Sequence, residues 1–381
     1  MKKKLLLVAS EFPPGPGGIG NHAYSLAKLF GKSNYEVHLV VDSNYAIQQE
    51  VIDFDSQLPD NIQINRVRRS GWLTYFRRIK MIVGITRKQD LVGMIFSGKF
   101  SLWMCGLLKV LGVKVPAMAV LHGSEVSITD TLQKLLTRWG ISKADFLIPV
   151  SQFTHSLLSE KLKKRPFRII ANGIDLEEFR ELASAADLET LNLKGEPALL
   201  TVGNVTPRKG QHRLIKALPE ILKEYPKAHY HIVGLPSYKQ EFEKLGESLN
   251  VEHAITFHGR LASREDLAVA YTKADLFVIL SENQANGDVE GFGIVILEAN
   301  FFGLPAIGAK GCGIADAIDD GYNGYLVDGD DGKDIAQSVR NAFQLKKELS
   351  GHSREWANKH DWNNIITQYI EVLNTLESKH K

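Results

Sequence analysis

Cysteine is nearly absent from this sequence: Cys105 and Cys312 are the only two in 381 residues. So widely spaced a pair argues against a structural disulfide and suits a reducing cytoplasm. Long apolar runs are missing as well. Nothing approaches the roughly 20 consecutive apolar residues of a membrane-spanning helix. The basic start MKKKLLLVA offers too short an apolar stretch for a secretory leader and reads as a first strand. No grouping of His, Cys, Asp or Glu has metal-ligand spacing, and Asp288 lacks an evident partner carboxylate, so no metal is expected. The formal net charge is only +2, but it is unevenly spread. Residues 1–181 carry 25 Lys/Arg against 16 Asp/Glu, a net +9, and residues 182–381 carry 21 against 28, a net −7. This asymmetry fits a basic face that meets an anionic partner, and equally an uneven surface without function.

What the chain does have is length and a repeated pattern. With 381 residues, 44% hydrophobic and 24% charged, it fits two globular domains. Short Val/Ile/Leu-rich runs alternate with helix-patterned segments. The runs are KLLLVAS, EVHLVVD, QINRVRR, LVGMIFS, KVPAMAVLHG, FLIPVS and RIIANG, then ALLTVGN, AHYHIVG, ITFHG, LFVILS, LPAIGA and GYLV. Helices are expected near 20–31, 150–164, 209–224, 238–249, 263–273 and 333–348. Buried strands alternating with helices predict α/β domains with doubly wound parallel sheets, and the pattern runs through twice. The expected division is 1–182 and 196–357 with a linker at 183–195. An amphipathic helix over about 358–381 is expected to return to the first domain. Open parallel sheets bind ligands at their carboxyl edges, so the two edges are expected to face a common cleft.

Gly15-Pro16-Gly17-Gly18-Ile19-Gly20 satisfies G-x-G-x-x-G, and Asp42 follows at a spacing suited to a ribose. An NAD fingerprint begins almost at once after its strand, whereas here Pro13 and Pro14 intervene. Pro16 also stiffens the turn that must wrap a pyrophosphate. The segment reads better as a glycine-rich lip where Gly17 and Gly18 let backbone N–H groups approach a ligand.

Two stretches of the second half carry chemistry. VGNVTPRKG (202–210) places Arg208 and Lys209 after a strand and beside an expected helix start, an arrangement suited to an anion. DVEGFGIVILEAN (288–300) brackets an apolar run with Glu290 and Glu298. Its glycines predict a helix from about Ile294, whose free N–H groups favour phosphate. Carboxylates are good acceptors for paired hydroxyls. Phosphate, ribose and sugar groups together describe a nucleotide sugar.

EGFGIVILEA resembles the E-x7-E signature of retaining glycosyltransferases with the GT-B fold, two Rossmann-like domains facing a cleft. In the same order, EFPPGPGGIGNHAYSLAKLF resembles that family's glycine loop, LHGSE its His-Gly, IIANGIDLEEF its N-G-[IV]-D-x-x-x-F segment and VGNVTPRKG its phosphate loop. The resemblance covers essentially the whole chain and is nearest to glycosyltransferase family 4. It implies that Arg208 and Lys209 bind the donor diphosphate and stabilise it as it leaves. It implies that Glu298 accepts from the ribose and that Glu290 and His122 contact the transferred sugar. The backbone of Gly291, Phe292, Gly293, Ile294 and Val295 would hold sugar and phosphate, with Gly17 and Gly18 approaching the diphosphate. Gly203, Asn204 and Arg260 complete the implied donor set. Asn204 is a departure, since many relatives carry arginine there.

The resemblance further implies transfer with retention, no metal and no classical base. The acceptor is expected on the basic first domain. There RVRRSGWLTYFRRIKMIVGITRK (66–88) mixes eight Arg/Lys with aromatics. Arg66, Arg68, Arg69, Trp72, Tyr75, Arg77 and Arg78 would form a face for anionic lipid or a lipid-linked glycan, unless the helix is simply a solvated cover over the core. A nucleic-acid partner is not expected. The expected location is cytoplasmic, with a peripheral contact on the inner face of the membrane. The expected function is hexosyl transfer from a nucleotide sugar to a lipid-linked or polysaccharide acceptor in envelope or exopolysaccharide synthesis. DVEGFGIV leans toward GDP-mannose, with UDP-glucose or UDP-N-acetylglucosamine as alternatives. A sugar-nucleotide epimerase, a sugar phosphorylase and a non-catalytic nucleotide-sugar-binding protein are the rival classes.

Overall fold

The computed structural model describes residues 2–15, 17–42, 47–68, 71 and 73–380. The chain divides into two compact units, Met1–Asn172 with Trp362–Lys381, and Gly173–Asp361. The first unit contains β1 (Lys3–Ala9), α1 (Gly18–Lys32), β2 (Tyr35–Asp42), α2 (Gln48–Ser56), β3 (Ile62–Val67), α3 (Leu73–Lys88) and β4 (Leu91–Ser97). It continues with α4 (Lys99–Val110), β5 (Ala117–Leu121), α5 (Thr131–Lys143), β6 (Phe146–Pro149), and the short α6 (Gln152–Ser156) and α7 (Glu160–Lys163). The second unit opens with α8 (Leu176–Ala185), β7 (Ala198–Val202), α9 (Gln211–Glu224), β8 (His229–Val233), α10 (Lys239–Ser248), β9 (Ile255–Gly259) and α11 (Arg264–Lys273). Then come β10 (Leu276–Ile279), α12 (Ile294–Phe301), β11 (Ala306–Ala309), β12 (Gly324–Val327), α13 (Gly332–Gln344) and α14 (Lys346–Lys359). The final helix, α15 (Trp362–His380), belongs to the first unit.

Both sheets are wholly parallel. Their orders are β3-β2-β1-β4-β5-β6 and β12-β11-β10-β7-β8-β9, which is one topology used twice. In β1, Leu5, Leu6, Leu7 and Val8 have no exposed surface, because helices cover the sheet on both faces. That is why the strand reads as a continuous apolar run rather than an alternating one. The α15 helix packs on α1 and β4 as expected. Tyr369 and Leu373 are fully buried there, and Gly93 makes the room: a Cβ at that position would lie 2.3 Å from Leu373 Cδ1. No helix among the described residues is long and apolar enough to cross a membrane.

Several boundaries differ from the sequence reading. RIIANG is no strand; it follows β6 through Arg168 N–H to Leu147 O and Ile170 N–H to Pro149 O without a regular ladder. The helix expected over 150–164 is two short ones, the first capped by Ser151, whose hydroxyl accepts from Thr154 N–H. The helix expected over 333–348 breaks at Leu345, and α14 continues to Lys359. The chain parts at Asn172/Gly173 rather than across 183–195. The reason is α8: Phe179 packs on Phe301 and Phe302, and Glu178 pairs with Arg264.

Candidate functional site

In the second sheet β7 and β10 are neighbours, yet the chain leaves them toward opposite edges. That reversal opens a crevice at their carboxyl ends. After β7, Pro207–Lys209 form a 3-10 turn, and Gly210 (φ 73°) leads into α9. The helix therefore starts at Gln211, two residues later than the sequence suggests. A Cβ on Gly210 would sit 1.9 Å from Leu280 O, so only glycine lets this turn lie against the end of β10. The Lys209 side chain runs over Gly203. After β10, Gly293 (φ 89°) turns the chain into α12. The preceding backbone is pinned by the Gly313 N–H, which donates to Glu290 O at 2.8 Å.

These two loops bring the charges together. Arg208 Nη1 and Lys209 Nζ both donate to Glu290 Oε2, at 2.6 and 2.5 Å, and Arg208 Nε lies 3.1 Å from Asp288 Oδ2. Asp288 thus has a partner after all, a cation rather than a carboxylate. Burial pushes the Glu290 carboxyl up, but the charges and hydrogen bonds of Lys209 and Arg208 outweigh it and hold the group below its ordinary value. Glu298 lies elsewhere, within α12. Tyr271 from α11 donates its hydroxyl to Glu298 Oε2 at 2.8 Å. There burial prevails and raises the pKa, although the tyrosine bond opposes it. The bracketing glutamates are therefore chemically unlike: one is an ion-paired carboxylate, the other a hydrogen-bonded one. Between them Phe292, Ile296 and Leu297 are buried, while Ile294 and Val295 are partly exposed at a helix start whose first N–H groups lack intrahelical acceptors. Gly291 is buried beside Glu290.

Asn204 is exposed after β7, its carbonyl accepting from Gln211 Nε2 at 3.1 Å. Arg260 follows β9, two strands from β7 and so roughly 10 Å across the sheet. Among the described residues, no hydrogen bond or ion pair joins it to Arg208, Lys209 or Glu290.

The first sheet has its own reversal, between β1 and β4. Gly17 (φ 141°) caps α1, and Gly18 opens it with free space where a Cβ would stand. Pro16 lies outside the described residues. His122 follows β5 on the same edge, its Nε2 bonded to Ser97 Oγ at 2.9 Å, and its ring meets His22 edge-on at 4.8 Å. Burial holds the His122 imidazole down at about 4. Glu125, unassigned in the sequence reading, is 3% exposed and accepts the His122 N–H at 2.6 Å. Burial pushes its carboxyl up to about 7. Asp42, the acid of the rejected NAD motif, is buried in an ion pair with Arg78.

That pair also corrects the basic face expected over 66–88. Arg78 is 1% exposed and ties α3 to β2. Arg66 is engaged by Asp55 (2.7 and 2.9 Å) and by Pro13 O. Tyr75 stacks on Trp103. Arg68 and Arg77 are exposed as expected. Arg69 and Trp72 lie outside the described residues. Tyr271, Ser97 and Glu125 are the contributors that sequence reasoning missed. Only Glu125 had a signal, its place in LHGSE.

The chain resembles known proteins along most of its length. The family described as Glycosyltransferase Family 4 matches residues 16–178, and Glycosyl transferases group 1 matches residues 185–359. A GDP-mannose-dependent alpha-(1-6)-phosphatidylinositol monomannoside mannosyltransferase of Mycolicibacterium smegmatis is 29% identical over 347 residues, 88% of each chain. Its counterpart in Mycobacterium tuberculosis is 26% identical, covering 97% of this chain and 98% of that one. Among solved structures, HepE of Anabaena in complex with UDP superposes with a TM-score of 0.77 at 19% identity, over 98% and 100% of the two chains. Sucrose-phosphate synthase of Thermosynechococcus elongatus gives 0.78 at 18%, over 99% and 100%. The chain belongs to glycosyltransferase family 4 and is a glycosyltransferase with the GT-B fold.

Proposed function

We propose that the protein moves a hexosyl unit from a nucleotide sugar to a lipid-linked or polysaccharide acceptor of envelope or exopolysaccharide glycans, with retention and without a metal. The observation that carries this reading is the convergence of Arg208 and Lys209 on one oxygen of Glu290, beside the start of α12. Glycosyl transfer passes through an oxocarbenium-like state while a diphosphate departs. Two fixed cations and a helix N-terminus suit that developing charge. In this reading Arg208 and Lys209 turn from Glu290 to the diphosphate, Glu290 is left to accept from sugar hydroxyls, and Glu298 accepts from the ribose. His122, neutral at neutral pH, hydrogen-bonds the sugar, and Gly17 and Gly18 offer backbone N–H groups to the diphosphate. No side chain is assigned as base, since attack from the leaving-group side needs none. GDP-mannose is the favoured donor, because relatives named for it match most of the chain. Leu73 and Phe76, 42% and 64% exposed, stand beside Arg68 and Arg77 as a peripheral contact with anionic membrane.

A donor panel scored by thermal shift and hydrolysis, with and without EDTA, tests the reading, and NMR of the anomeric proton tests retention. Glu298→Ala should chiefly raise donor KM, and Lys209→Ala should chiefly lower kcat. Wild-type rates in both variants would show the site to be elsewhere. Donor bound but never consumed would point instead to a binding protein.

A further inference from the structure

On the first sheet a groove of about 640 Å³ runs between α3 and the edge strand β3. It exists because the facing surfaces do not close. A helix over a sheet normally buries apolar residues from both sides. Here β3 turns Gln63 and Asn65 toward the helix, and α3 answers with Gly84 at its centre, where a Cβ would touch nothing within 4 Å. The α3 wall is a stripe at helical spacing, Arg77, Lys80, Met81, Gly84, Ile85 and Lys88. Arg68 adds a further cation at the end of β3, and among the described residues no Asp or Glu lines the groove. Arg66 also lines it but is already neutralised by Asp55. Arg68, Lys80 and Lys88 have no carboxylate partner among the described residues. Glu36 lies close by, hydrogen-bonded by Gln63 Nε2 at 3.1 Å and 3.5 Å from Lys4 Nζ.

His38 in the groove wall, from β2, is only 3% exposed. Its Nε2 lies 3.3 Å from Glu36 Oε1, a contact of poor hydrogen-bond geometry, and has no other partner among the described residues. A buried polar atom so poorly paired beside a water-accessible groove is costly unless a ligand or solvent also meets it. From Arg77 to Lys88 the stripe spans roughly 16 Å at 1.5 Å per residue, too far for a single phosphate.

We propose that this groove is a binding site for a polyanion carrying two or more phosphate groups spaced along α3. The groove lining excludes Leu73 and Phe76, so the groove shares Arg68 and Arg77 with the apolar end of the helix but not its apolar residues. The ligand is a soluble phosphate ester or the head groups of an anionic lipid, and two probes separate these sources. Hydrogen exchange on the full-length protein, titrated with inorganic tripolyphosphate or with vesicles of phosphatidylglycerol in phosphatidylcholine, reads the site directly. Tripolyphosphate is expected to slow exchange across 73–89. Gly84→Leu, which fills the groove without changing charge, and the double variant Lys80→Ala/Lys88→Ala should each weaken that protection about tenfold or more. Vesicle protection lost in Gly84→Leu assigns a lipid source, and protection by tripolyphosphate alone assigns a soluble one. Protection by neither probe, or protection that survives Gly84→Leu, overturns the proposal. Exchange across 202–214 in the same experiment reports the Arg208/Lys209 site separately. Failure of the donor reading would therefore show there and leave the groove result intact.

Discussion

Seven residues separate Glu290 from Glu298, yet their surroundings push them in opposite directions. Glu290 is held low by two cations, and Glu298 is raised by burial, which outweighs the Tyr271 hydrogen bond and the charges of Arg264 and Lys209. Glu125 is a third case, in the first unit. Its folded pKa of about 7 exceeds the ordinary 4.5, so the stability it contributes is complete below about 4.5 and is lost as pH rises through about 7. Glu125→Gln keeps an acceptor for the His122 N–H and removes the buried charge. Its melting temperature relative to wild type should therefore rise between pH 5 and pH 8; an unchanged difference would mean that burial does not raise the Glu125 pKa above its unfolded value. The spacing of Glu290 and Glu298 and the Arg208-Lys209 pair were legible because they are local patterns. Their pairing was not, since 82 residues separate Arg208 from Glu290 and only the meeting of two strand ends brings them together. Tyr271 was invisible for the same reason: nothing in the sequence of a helix marks which tyrosine reaches a neighbouring helix.

Among the elements, the twelve strands of the described residues were legible as apolar runs, because burial on both faces leaves little choice of residue. RIIANG misled because it is apolar and extended but lies beside β6 without a ladder. The broken helices were harder, since serine caps and a change of direction leave the apolar spacing almost intact. The turn between β7 and α9 depends on geometry that propensity does not report. Gly210 combines φ 73° with backbone contact to Leu280, so Gly210→Ala should cost about 2 kcal/mol or more. It should also displace Arg208 and Lys209 and weaken donor binding. Urea unfolding together with a donor titration would check both, and wild-type values would show the turn to be more yielding than its contacts suggest.

Across the whole molecule, one sheet topology appears twice, and each copy hides histidines. His22 and His122 lie in the first unit, and His229 and His231 in the second, where His231 Nδ1 bonds His258 Nε2 at 3.0 Å. Burial lowers His122, His229 and His231 to about 4 and His22 well below its ordinary 6.5. Unfolding lets each take up a proton, so stability should fall as pH drops from about 6.5 to about 4, in both units rather than one. Denaturation midpoints measured across that range, with proteolysis to tell the units apart, would check it; a flat profile would contradict it. The Arg208–Glu290–Lys209 cluster has a consequence of its own under cellular conditions. Its cations carry an internal counterion, so an incoming anion must displace a tethered carboxylate, not merely water. Chloride or a lone phosphate gains little from such an exchange, whereas a ligand that also brings hydroxyls for the released glutamate recovers what it disrupts. A donor site of the proposed kind would thereby be largely deaf to the ionic background, with admission depending on matching both signs of charge at once.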